Sequence, residues 1–148
     1  MDPRLYYREA TVTGANPIEL VVRLYEQIIE DLRQAIRALE EKKVELRTTK
    51  INHSILVIGY LESALKFAED GPAARNLRTF YRTLRANLAE AQFRQSKEIL
   101  ARQITDLLAL REAWISVERS QLTSVDAQEV AANPLAPQMG TASLEWNG

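Results

Sequence analysis

Apolar residues recur along this chain at helical spacing, in four separate blocks. In the first, Ile18, Val22, Tyr25, Ile29, Leu32, Ile36 and Leu39 lie alternately four and three residues apart. That is the inward seam of a bundle helix, and Val21, Leu24 and Ile28 widen it. Its start is sharply marked. Asn16 can cap it, Pro17 suits the first helical position, where no N–H is needed, and Glu19 can reach back to the cap. The charged run Glu40-Glu41-Lys42-Lys43 marks the far end and a turn.

The second block, from about Glu45 to Glu69, has a different character. Its centre, residues 55–61, is apolar nearly all round the helix. Ile51, Ile55, Ile58 and Leu65 can fill a seam, which leaves Leu56, Val57, Tyr60 and Phe67 to find other cover. Gly59 interrupts at a cost of about 1 kcal/mol relative to alanine, as if a neighbouring helix or a partner came close there. Asp70-Gly71-Pro72 is a break, and Pro72 opens a third helix with the seam Leu77, Tyr81, Leu84, Leu88 and Ala91. Phe80 and Phe93 lie off that line. A polar turn at Gln95-Ser96 leads to a fourth, with a broad face of Ile99, Leu100, Ile104, Leu107, Leu108, Leu110, Trp114 and Val117.

Short connections make these helices antiparallel neighbours. The expected fold is all-α, an antiparallel up-down four-helix bundle over residues 17–119. An extended N-terminal arm (1–16) precedes it and a flexible C-terminal tail (120–148) follows. A bundle completed by dimerisation and a helical hairpin array are the alternatives. From about Thr123 Lys and Arg vanish, Pro134 and Pro137 appear and small residues dominate. Leu144 and Trp146 in that tail are either incidental or dock weakly on an apolar surface.

Composition narrows the function. The 148 residues, 46% of them apolar, suit one domain with one core. Without cysteine there is no disulfide framework and no thiol metal site, which fits a reducing compartment. No apolar run reaches the roughly 20 residues of a membrane helix, and Met1-Asp2-Pro3-Arg4 lacks the layout of a secretory signal. A cytoplasmic protein without membrane insertion is expected. A net charge of −1 argues against nucleic acid. His53 is the sole histidine and has Lys50 three residues before it, so the Glu-x-x-His pairs of a di-metal bundle are missing. A solvated or hydrogen-bonded His53 is expected. No Cys-His pair and no glycine-rich phosphate loop is present. Arg33, Arg37, Arg75, Arg78, Arg82 and Arg85 invite comparison with helical mutases of the chorismate type, but most fall between seam positions, where a solvated face explains them. The expectation is no catalysis, no metal and no cofactor. Peptide binding fits better, because a groove for an amphipathic helix needs exposed apolar positions beside a core seam. The second helix has that surplus and Phe80 extends it, unless tight packing or a homodimer contact covers these residues.

Spaced landmarks point to a family. Tyr7 stands ten residues before Pro17, Leu20 and Leu24-Tyr25 follow, then Asn76-Leu77, Phe80-Tyr81 and Leu110-Arg111-Glu112-Ala113-Trp114. Over residues 5–118 this set resembles the flagellar export chaperone family FliS. The resemblance implies a cytoplasmic chaperone that binds the disordered C-terminal segment of flagellin. It would prevent premature polymerisation and support delivery to the flagellar type III export gate. Tyr7, Leu24, Tyr25, Asn76 and Tyr81 are the matched candidates for that contact, and Leu56, Val57, Tyr60 and Phe80 join them from the apolar surplus. Glu26-Gln27 departs from the family's Asp-Gly, Lys66 from its usual acid, and Asp70-Gly71-Pro72 from its paired glycines. A helical adaptor or oligomerisation module unrelated to export is the alternative.

Overall fold

The structure is a computed structural model that describes residues 17–65 and 71–132, with side chains described through residue 120. The arm with Tyr7 and Asn16, the break at Lys66–Asp70, and Leu144 and Trp146 lie outside the described residues. Among the described residues four helices follow in order: α1 Pro17–Glu40, α2 Val44–Leu65, α3 Pro72–Arg94 and α4 Lys97–Ala132. The fold is the expected all-α four-helix bundle. Along α4 the chain divides into two compact units, Met1–Arg111 and Glu112–Gly148, and the four-helix core belongs to the first. The backbone stays helical through Ala132, past the residue 119 at which the bundle was expected to end. No glycine or proline interrupts it before Pro134.

Two tight turns set the antiparallel order. After α1, Lys42 adopts a left-handed conformation (φ 60°). Its N–H bonds to Leu39 O at 3.2 Å and that of Lys43 to Ala38 O at 2.8 Å. After α3, Gln95 does the same (φ 53°), and Ser96 N–H reaches Ala91 O at 3.1 Å. The first is a Schellman closure and in the second the Gln95 N–H also turns to Ala91 O; both are built without the glycine that usually occupies the left-handed position. Ser96 then caps α4, its Oγ accepting from Ile99 N–H at 3.1 Å. Register follows from cross-helix partners. As α1 numbers rise, α4 numbers fall, from Glu26–Arg111 to Glu40–Lys97. Arg47–Gln92 and Glu62–Arg85 run the same way between α2 and α3, and Asn87–Gln103 ties α3 to α4.

The core holds most expected seam residues, with two rotations. On α1 the line Leu24, Ile28, Asp31, Ala35, Ala38 is buried along with Tyr25, Ile29 and Leu32, while Val22, Ile36 and Leu39 are half-buried. The reason is α2, which packs closest to α1 over that line, where two alanines let the backbones approach. On α2 the buried set is Ile51, Val57, Ile58 and Leu61 with Arg47 and Ser54; Ile55 and Leu65 are only half-buried. α3 buries Tyr81, Leu84, Leu88 and Ala91 as expected, with Ala74 in place of the half-buried Leu77.

Candidate binding surface

The outward face of α2 carries Thr49, Asn52, His53, Leu56, Gly59, Tyr60 and Ser63, all exposed or half-buried. None bears a formal charge at neutral His53, in a chain that is 26% charged. Leu56 is 60% exposed. A Cβ built on Gly59 would meet nothing within 4 Å. Among the described residues the glycine therefore has no neighbouring helix to make way for, one of the two reasons the sequence offered for it. Beside this face lies a cleft of about 660 Å³ between α1 and α2. Its rim is polar, with Arg23, Glu26 and Glu30 opposite Thr49 and Lys50, and Leu24 and Val57 lie at its floor.

Asp31 closes one side of that floor and is 2% exposed. It is held from both sides. Gln27 Nε2 donates to its Oδ1 at 3.1 Å, and His53 Nδ1 meets its Oδ2. The sole histidine is thus hydrogen-bonded, as expected, and its partner is a buried carboxyl that the seam pattern did not reveal. The signal was present: an acid stands on the α1 stripe one turn from Ile28, facing the middle of α2. Arg47, Ser54 and Gln103 are further buried polar groups missed by the periodicity. Arg47 Nε donates to Gln92 Oε1, and Gln92 Nε2 donates to Thr48 Oγ1, so α2 and α3 are stitched at one end.

Four of the candidate contact residues lie inside. Leu24, Tyr25, Val57 and Tyr81 are buried. Tyr25 and Tyr81 bridge α1 and α3, their hydroxyls 2.6 Å apart and their rings edge-on at 6.3 Å and 71°. Burial, reinforced by Tyr25 beside it, pushes the Tyr81 hydroxyl well above the ordinary tyrosine range. These two tyrosines satisfy each other in the core and hold the fold. Leu56, Tyr60, Asn76 and Phe80 remain accessible to differing degrees. They do not form one patch. Phe80 stacks edge-on to Tyr81 at 6.1 Å and shares its face of α3 with Asn87, which bonds to α4. Arg85 and Gln92 mark the flank of α3 that meets α2. Phe80 and Asn76 therefore belong to the α4 side, and the expectation that Phe80 extends the α2 surplus gives way to two separate places. Tyr7 lies outside the described residues.

The departures from the family pattern have work in the structure. Glu26 accepts from Arg111 Nε at 2.9 Å and pairs with its Nη2 at 2.8 Å. Gln27 supports Asp31. Among the described residues no three of His, Cys, Asp and Glu cluster as metal ligands, and no helix is long and apolar enough to cross a membrane.

A bundle with a stitched core, an uncharged outer strip and an open cleft beside it has the form that suits a helical protein-binding module. Residues 2–121 match the family described as flagellar protein FliS. The chain belongs to the FliS family, and it is in class a flagellar export chaperone. It is 32% identical over 106 residues to the flagellar secretion chaperone FliSB of Pseudomonas aeruginosa, a span covering 72% of this chain and 84% of that relative.

Proposed function

We propose that this chain is a cytoplasmic chaperone that holds the C-terminal segment of flagellin, keeps it from polymerising early and supports its delivery to the flagellar type III export gate. It does so by binding alone, without catalysis or metal. The observation that carries this reading is the outer face of α2. Leu56 and Tyr60 stand there without a charged residue among them, beside an open Gly59 and the α1–α2 cleft. A solvated helix face in a globular protein is normally laced with charge. An uncharged one, bordered by polar groups, suits an amphipathic segment that folds as it binds. Such a segment can bury on the order of 1,000–3,000 Å² and still be released, because ordering it offsets several kcal/mol.

The test compares full-length flagellin with flagellin lacking its C-terminal segment in a pull-down by the full chain. Retention of the first and loss of the second supports the reading. Equal retention of both, or of neither, sinks it. We include the N-terminal arm in the same reading, with Tyr7 acting at the client site. Deleting residues 1–12 then changes flagellin affinity or self-association. Removing a shield raises both, and removing a clamp weakens binding.

A further inference from the structure

One helix is charged unlike the others. α3 carries five arginines and one glutamate, whereas α1 carries three basic and five acidic side chains and α2 two of each. Arg75, Arg78, Arg82 and Arg85 are spaced by three, four and three residues, so they share one face. Ala89 and Phe93 continue that line for two more turns, and Phe93 is 85% exposed. The stripe is basic over the first half of α3 and apolar over the second. From Arg75 to Phe93 it runs about 27 Å at 1.5 Å per residue.

Two of these charges stand uncommitted. Arg85 pairs with Glu62 at 3.1 Å and Arg94 with Glu90 at 2.6 Å. Arg75 and Arg82 are exposed and make no ion pair among the described residues. Arg75 also runs against the helix dipole. α1, α2 and α4 each have an acid in their first turn. α3 has none there, its N-cap Gly71 offers no side chain, and Arg75 N–H closes the first turn on Gly71 O at 3.0 Å. A cation at that end disfavours the helix by a few tenths of a kcal/mol. A local rule broken without a gain among the described residues marks a surface kept for something else.

We propose that this stripe docks an acidic amphipathic helix of the client, with carboxylates opposite Arg75 and Arg82 and a small apolar face over Ala89 and Phe93. The inference rests on the client-binding reading above and adds the chemistry of one contact. Charge complementarity selects the occupant. Two free arginines beside an exposed phenylalanine are too few for a lipid surface, which takes clusters of about 4–8 basic residues. They are also too few for a duplex, which takes about 6–10 phosphate contacts. They suffice to steer and register a helix with acids one to two turns apart, because rim charges act mainly on association rate and salt dependence.

The experiment measures binding of full-length monomeric flagellin to the full chain across a salt series, for wild type and for the double variant Arg75→Glu/Arg82→Glu. Both positions are exposed, so the melting transition should not fall, and should rise slightly where a glutamate replaces Arg75 at the helix N-terminus; it serves as the folding control. Affinity at low salt should fall roughly ten-fold or more and the salt dependence should flatten. Phe93→Ala should weaken binding a few-fold at every salt concentration. A double variant that binds like wild type, with the same salt slope, overturns the stripe while leaving the client reading intact. A wild type that does not retain flagellin at all removes both. Co-sedimentation with phosphatidylglycerol vesicles that depends on Arg75 and Arg82, with flagellin binding unaffected, overturns the proposal in favour of a membrane surface.

Discussion

Leu56 and Val57 are adjacent, similar in chemistry and opposite in fate: 60% exposed and fully buried. The same contrast runs the length of α2. Its inner face holds Ile51, Ser54, Val57, Ile58 and Leu61, and its outer face holds Asn52, Leu56, Gly59 and Ser63. α1 shows nothing of the kind, since its apolar residues fall on one side. The difference teaches that helix two carries two apolar loads, one for the core and one left over. Burial of the first supplies stability. The second is exposed, and it is the surface that the proposed function assigns to the client.

The largest effect separates the faces directly. Val57→Asp places a carboxylate on a fully buried position beside the buried Asp31, and should cost more than about 3 kcal/mol. Loss of the cooperative melting transition is the expected result. Leu56→Asp, one residue away, should stay within about 0.5 kcal/mol of wild type and lose flagellin. If both variants unfold, or both fold normally, the two faces are not distinct.

The rim between them comes next. His53 is one-third exposed and supports the buried Asp31. His53→Ala leaves Asp31 with Gln27 alone and should cost about 1–3 kcal/mol, the usual penalty for a buried polar group that loses a partner. Denaturant unfolding reads this. A change below 0.5 kcal/mol would mean that water replaces the imidazole freely, and that the cleft floor is wetter than its burial implies.

How far could a reader of the sequence have come? The fold was legible in α1 and α3, because a single stripe at three- and four-residue spacing leaves one orientation. Even there the α1 face turned toward Leu24, Ile28 and Asp31, since periodicity cannot weigh how closely a second helix approaches. α2 resisted. When residues 55–61 are apolar on nearly every side, the pattern cannot choose Val57 over Ile55 for the core, and only packing does. The turns at Lys42 and Gln95 were placed, but their left-handed residues were invisible without a glycine to mark them. The site was legible only in part. Leu56 and Tyr60, expected from surplus, are accessible, whereas Tyr25 and Tyr81, matched by family resemblance, are partners in the core. A family landmark does not distinguish holding the fold from holding a client, and burial does.

A smaller effect, opposite in sign, tests how well the inner face is made. Ser54 is fully buried and its Oγ has no hydrogen-bond partner among the described residues. Ser54→Ala removes an unsatisfied hydroxyl and adds helix propensity, so it should stabilise by up to about 1 kcal/mol. A loss instead would place a bound water on that hydroxyl.

The smallest effect falls on the outer face and sharpens its meaning. Gly59 sits inside α2 with ordinary helical geometry, and an added Cβ would stand in open space. Gly59→Ala should therefore stabilise the free protein by about 0.4–1 kcal/mol, through propensity and a less mobile unfolded chain. Nothing among the described residues explains why the position forgoes that gain. A client backbone lying against α2 would, because a glycine lets two backbones approach where a methyl group would hold them apart. The two measurements together decide. Higher stability with weaker flagellin binding places the client over Leu56 and Gly59. Higher stability with unchanged binding moves it elsewhere on the bundle and leaves the glycine without a role. Lower stability would mean that α2 is not the regular helix described here, and the contrast between its faces would need to be redrawn from the backbone up.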